Sequence, residues 1–133
     1  MASVRMIGNY GSVYNMEIRD DENDGEFVHY NSRTKSIGHD WHDEDRKYHR
    51  DGAPAKTINW FTCKIAEEYW YIHGVLHRDD GPAIVKYDTD GTLMEERWYI
   101  HGIHITNPEW LAETNISAPY TDEDLLAITL RWG

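Results

Sequence analysis

Eight histidines and 24 acidic residues supply most of the chemically capable groups in this 133-residue chain. His39 and His42 lie three apart, as do His101 and His104, and the stretch from Gly38 to Arg50 adds Asp40, Asp43, Glu44, Asp45 and His49. Imidazole nitrogens beside carboxylates form a donor set that zinc accepts. His39, His42 and His104 are therefore candidate metal ligands, and a metal-dependent hydrolase built on the His39–His49 loop is one reading of the chain. A second run, Asp20, Glu22, Asp24 and Glu26, offers alternate oxygens to calcium. It lacks the spacing and terminal Glu of an EF-hand loop, and a solvated hairpin turn accounts for it better. The sequence has no Gly-rich phosphate loop, nucleophile elbow or HExxH helix. Lone Cys63 excludes an intramolecular disulfide and reads as a small packing residue on a strand. No catalytic residue or cofactor emerges, and the expectation is a protein that is not an enzyme.

The other histidines have an explanation that needs no chemistry. Trp70-Tyr71-Ile72-His73-Gly74 returns as Trp98-Tyr99-Ile100-His101-Gly102, and His77-Arg78-Asp79-Asp80-Gly81-Pro82-Ala83 is foreshadowed by His49-Arg50-Asp51-Gly52-Ala53-Pro54-Ala55, both 28 residues apart. An internal repeat of this kind outranks local signals. His and Arg in its Gly-Pro turn can hydrogen-bond the carbonyls of a neighbouring hairpin. Between Ala83 and Trp98, Ile84 to Tyr87, an Asp90-Gly91 turn and Thr92 to Arg97 predict a β-hairpin. Alternation puts Met94, Glu96, Trp98 and Ile100 on one face and Leu93, Glu95, Arg97 and Tyr99 on the other. The Trp and Ile face is the predicted buried one, with Ala66, Trp70 and Ile72 matching it in the earlier copy. Trp70 and Trp98 are then expected to cover each other side by side.

A Trp/Tyr-x-x-x-Gly strand end followed by His-Arg-x-Asp-Gly-Pro-Ala resembles the MORN-variant repeats found in bacterial and bacteriophage proteins. The resemblance spans roughly Tyr48 to Ile103. It implies short antiparallel hairpins stacked into an elongated sheet, with His49, Arg50, Trp70, Gly74, His77, Arg78, Gly81, Pro82, Trp98 and Gly102 as structural residues of the repeat. The first copy departs from the pattern in its Gly52-Ala53 order and lacks a preceding Trp-x-x-x-Gly. The last has Ile105-Thr106 where His-Arg should stand, as capping units do.

Size and composition support one mainly β domain spanning 1–133: N-terminal strands and acidic loops over 1–47, hairpin repeats over 48–105 and a helical cap over 106–133. Six Trp and nine Tyr against two Phe suit a thin sheet with a wet face, since their polar atoms reach solvent while the rings are covered. Tyr10 to Ile18 and Phe27 to Tyr30 are predicted strands, and Gly38 to Arg50 a loop. Pro108 after Asn107 predicts a short helix, and Ala118-Pro119-Tyr120 ends it. Thr121 opens a second helix with three acids in its first turn. Leu125, Ile128 and Trp132 share one face, with Leu126 and Leu130 beside it, a width suited to packing on a sheet.

The net charge is −11 and the isoelectric point about 5.0. There are 11 acids against 8 bases up to residue 60, and 13 against 5 after it. That field disfavours direct nucleic-acid binding and suits a basic partner, or imitation of duplex phosphates. No apolar run approaches the roughly 18 residues of a membrane helix, and Met-Ala-Ser-Val-Arg holds no signal-peptide core. A cytoplasmic protein is expected. The leading functional expectation is a small acidic interaction protein, of bacteriophage type, that inhibits or redirects a host protein in defence or nucleic-acid processing. Exposed Tyr69, Tyr71 and Tyr99 with Glu67, Glu95 and Arg97 would form its contact surface. An antitoxin-like module that only oligomerises, as a homodimer for example, is the remaining reading.

Overall fold

In the computed structural model the chain is described over residues 2–10, 13–20, 26–62 and 64–133, with side chains from Glu26 onward. Glu22 and Asp24 of the acidic run and Cys63 lie outside the described residues. The architecture is mainly β. Nine strands form one antiparallel sheet in the order β1 (Ala2–Tyr10), β2 (Val13–Asp20), β3 (Glu26–Asn31), β4 (Ser36–Asp40), β5 (Lys56–Trp60), β6 (Ile65–Tyr69), β9 (Ile84–Tyr87), β10 (Leu93–Ile100) and β11 (Ile103–Ile105). The small hairpin of β7 (Tyr71–Ile72) and β8 (Val75–Leu76) sits between β6 and β9 in sequence and outside that sheet. Two helices close the chain, α1 (Glu109–Glu113) and α2 (Asp122–Trp132). Among the described residues, no helix is long and apolar enough to cross a membrane.

Several boundaries differ from the sequence reading. The single strand expected over Tyr10 to Ile18 falls on two, since Tyr10 ends β1 and Val13 begins β2, and the two pair antiparallel. The expected loop from Gly38 begins inside β4, whose Ile37 and His39 pair with Asn59 and Thr57 of β5. A polar composition hid this strand, since pairing on both sides satisfies its backbone without an apolar pattern. The helix at Asn107 is a single turn with no side-chain cap, and Pro108 stands at its N-cap. The second helix forms as expected: Thr121 and Asp124 exchange both bonds of a capping box, satisfying two backbone amides that a helix start leaves open.

The largest fully buried side chains, Ile100, Ile105 and Ile128, gather at one end. With Ile116 they form a cluster packed by Trp98, Ile103, Trp110, Leu111, Tyr120, Leu125 and Trp132. Elsewhere the strands touch mainly their sheet neighbours, and small buried residues such as Ala55, Ala66 and Ala83 mark where hairpins approach. Met94 was placed on the buried face, yet it is 64% exposed. A register shift between Leu93 and Glu95 interrupts the alternation there, and a bulge moves side chains off the face that parity assigns. Leu126 and Leu130 likewise stay exposed on α2.

Between the strands, a set of contacts recurs at matching positions. The Arg50 amide donates to the Tyr71 carbonyl and the Arg78 amide to that of Tyr99; the Gly74 amide donates to Tyr48 and the Gly102 amide to Leu76. Each pair of contacts is separated by 28 residues. Gly74 and Gly102 hold φ of 82° and 80°, a left-handed conformation that favours glycine. The counterpart of Trp70 is Trp41. The amides of both donate to alanine carbonyls, Ala55 and Ala83, at 2.8 Å, and each ring lies under an arginine: Arg50 at 3.8 Å from Trp41 and Arg78 at 3.9 Å from Trp70. The sequence alignment missed Trp41 because the turn after it carries one more residue, with Arg46 taking the left-handed position at φ 62°.

Candidate interaction surface

Three adjacent strands toward the β11 end of the sheet place charged residues directly opposite one another. Glu67 of β6 faces Lys86 of β9, which faces Glu95 of β10. The Lys86 ammonium lies 3.5 Å from Glu67 and 3.6 Å from Glu95, and Arg97 closes the row on Glu95. The Tyr69 hydroxyl donates to Glu67 at 2.8 Å. Arg97 beside it holds the Glu95 carboxyl below the usual range, while Glu95 raises Arg97. The result is a strip of alternating charge, half in solvent, fixed by the sheet beneath it.

The three tyrosines expected as exposed anchors are all half-buried. Tyr71 packs against Tyr48 at 5.1 Å between ring centroids, Tyr48 stacks on His42 at 4.9 Å, and Tyr99 stacks on His104 at 4.9 Å. Lys56 sits 5.6 Å from the Tyr69 ring and 5.7 Å from that of Tyr48. Burial, then the Glu67 contact, pushes the Tyr69 hydroxyl well up; burial, then Tyr99, raises Tyr71. Ring faces occupied by neighbouring rings are not free platforms, so Tyr71 and Tyr99 offer edges and hydroxyls rather than open faces.

The proposed metal ligands are placed in three different settings. His39 contacts Glu26 on the adjacent strand, His42 lies between Phe27 and Tyr48, and His104 lies on Tyr99. Among the described residues no group of three or more His, Cys, Asp or Glu is arranged to hold a metal ion.

The repeat turns are bonded differently from the sequence expectation: the arginine side chains reach a carbonyl of their own turn rather than of a neighbouring hairpin, and His49 and His77 accept from amides instead of bonding carbonyls. The guanidinium of Arg78 covers Trp70, donates to the Pro82 carbonyl at 3.2 Å and pairs with Asp80. It also explains buried Gly81, since a Cβ there would meet the guanidinium at 3.0 Å. Arg50 makes the matching bond to Pro54 at 3.5 Å. Trp98 does not share this arrangement, and in place of the expected mutual cover Trp70 lies under Arg78 while Trp98 packs on the isoleucine cluster. Thr106 stands at the position of the missing arginine, and Trp98 packs into the helical cluster instead. The Trp132 indole donates to Thr106 Oγ1 at 2.9 Å.

One arrangement had a sequence signal that was read only as turn chemistry. His49 stacks on His73 with centroids 4.0 Å apart, and His77 packs on His101 at 4.6 Å. Tyr120 meets both His77 and His101 edge-on. Burial, together with nearby Asp79, pushes its hydroxyl to about 12. Burial and His77 hold His101 below the ordinary histidine value.

Comparison of the chain with family models, curated proteins and solved structures gives no match.

Proposed function

We propose that this chain is a small, acidic, non-enzymatic interaction protein that binds another protein and inhibits or redirects it. The observation that carries this reading is the strip Glu67, Lys86, Glu95, Arg97 on three adjacent strands, with Tyr69 tied to it. Fixed alternating charges give register and orientation to a docking partner more than raw affinity. A rigid support also lowers the entropy lost on binding. The excess of acid over the rest of the surface favours a basic partner. The resemblance to MORN-variant repeats supports a scaffold of hairpins and a bacterial or bacteriophage setting, with a host protein as the target.

The test is capture by the immobilised protein from bacterial lysate, with and without phage infection, followed by identification and direct titration of what is retained. Charge reversal of the acids of the strip, Glu67→Lys with Glu95→Lys, should weaken binding of that basic protein at least tenfold while circular dichroism stays unchanged. Equal affinity in the variant would remove the strip as the contact surface.

A second reading is favoured by β1, which ends the strand order with no neighbour on its outer side among the described residues. A nine-residue edge of this kind is a template for a further strand. The module would then self-associate, and light scattering behind size exclusion decides: a monomer mass across concentrations ends this reading.

A further inference from the structure

We propose that the two histidine-to-backbone bonds joining successive turns, His49 to His73 and His77 to His101, are acid-sensitive clasps that release those turns from one another when the clasp histidines are protonated, leaving the strand ladder in place. The inference is independent of the binding surface.

In both clasps the geometry is the same. The His73 amide donates to His49 Nδ1 at 3.0 Å, and the His101 amide to His77 Nδ1 at 2.9 Å. A nitrogen that accepts from a backbone N–H carries no proton itself. The neutral ring must then hold its proton on Nε2. That nitrogen faces a carboxylate in each case: Asp51 at 3.5 Å from His49, and Asp79 at 2.7 Å from His77. Both clasp rings are mostly covered, with side chains 18% and 14% exposed.

A second proton can enter only at Nδ1, where it displaces the backbone bond. Three features make that loss matter. The donor residues His73 and His101 sit at φ of 47° and 49°, a left-handed conformation that costs energy for residues with a Cβ. Each clasp joins hairpins 24 residues apart, so its loss is not repaired locally. The stacked pair His49–His73 and the tilted pair His77–His101 also place a second imidazole against each clasp ring, and two imidazolium ions there would repel.

The charged neighbours do not cancel the effect. His49 faces Asp51 from its own turn and His73 from the next hairpin, with Asp43 bonded to His73 Nδ1 at 2.8 Å. His77 faces Asp79, His101 and Tyr120, while Arg78 beside it is held by Asp80. The carboxylates lie at Nε2 and cannot replace the acceptor that the amides lose at Nδ1. Each clasp is made while Nδ1 is bare and is lost once that nitrogen carries a proton.

The experiment is nuclear magnetic resonance of the full chain. At pH 7.5, imidazole nitrogen spectra should show His49 and His77 as Nε2–H tautomers. On titration to pH 5, hydrogen-exchange protection of the His73 and His101 amides, corrected for intrinsic rates, should fall about tenfold or more, as loss of one hydrogen bond allows. Amides within β6 and β9 should keep theirs. In the double variant His49→Asn with His77→Asn, an amide oxygen can take the place of Nδ1 and does not titrate, so protection should persist at pH 5. Protection unchanged in the wild type, an Nδ1–H tautomer at pH 7.5, or equal acid loss in the Asn variant each overturns the proposal. The wild-type tautomers decide even if the variant does not fold.

Discussion

Trp70 and Trp98 lie 28 residues apart in nearly identical sequence, yet they are covered by different means. Trp70, like Trp41, lies under an arginine that belongs to the next turn and bonds a carbonyl four residues on. Trp98 has Thr106 at that place and packs against the cluster of Ile100, Ile105, Ile116 and Ile128. The inner units are stabilised locally, ring by guanidinium, with little fully buried apolar volume. The C-terminal end builds a true core from distant segments. A stacked unit can rely on its neighbour, whereas a last unit has none, and its exposed face must be closed by something else.

The comparison is most sharply tested where burial is deepest. Ile128→Ala should cost about 2–5 kcal/mol, the usual range for emptying a filled core site, because Ile128 is fully buried between α2 and the strand end. Urea unfolding measured by tryptophan fluorescence and helical circular dichroism should show that loss. A change below about 1 kcal/mol would mean that α2 does not close the cluster on which Trp98 packs.

Arg78→Ala should cost roughly 1–2 kcal/mol, from the lost cation–π contact and the unpaired Pro82 carbonyl. Arg50→Ala should cost less, since its bond to Pro54 is longer. Arg78→Lys should not restore the loss, because an ammonium cannot both lie flat on the ring and donate from a fork. Full rescue by lysine, read in the same urea titration, would break the distinction between the two ends.

Thr121→Ala removes one half of the capping box and should cost about 1 kcal/mol, with α2 fraying first in hydrogen exchange. The smallest effect is expected on the charged strip. Arg97→Ala should change stability by less than about 0.5 kcal/mol, as exposed ion pairs do, while altering partner binding. A large stability loss there would assign Arg97 to the fold rather than to the surface.

How far the sequence carried this reading varies by residue. The hairpin from Ile84 to Ile100, with its Asp-Gly turn, was legible because alternation and turn chemistry agreed. So was α2, whose cap residue and acidic first turn are local signals. Trp41 was missed because one inserted residue shifted it out of phase, while hydrogen bonds tolerate such an insertion in a turn. The exposure of Met94 and the partial burial of Tyr69, Tyr71 and Tyr99 escape the sequence pattern for a related reason. Parity names a face but says nothing about a bulge or about which rings stack upon one another. The histidine pairs were visible as spacing, but their contact was not, since 24 residues of chain separate donor from acceptor.

Taken alone, the order of residues determined a mainly β chain of short hairpins, with matching turns and two closing helices, because those features depend on interactions within a few residues. Only the folded chain decided that arginines roof two tryptophans, that Thr106 and Trp132 replace the third roof, and that histidine meets histidine across each junction. Those outcomes depend on which distant side chains arrive at the same place, and pairing register, bulges and helix docking set that through the whole sheet at once.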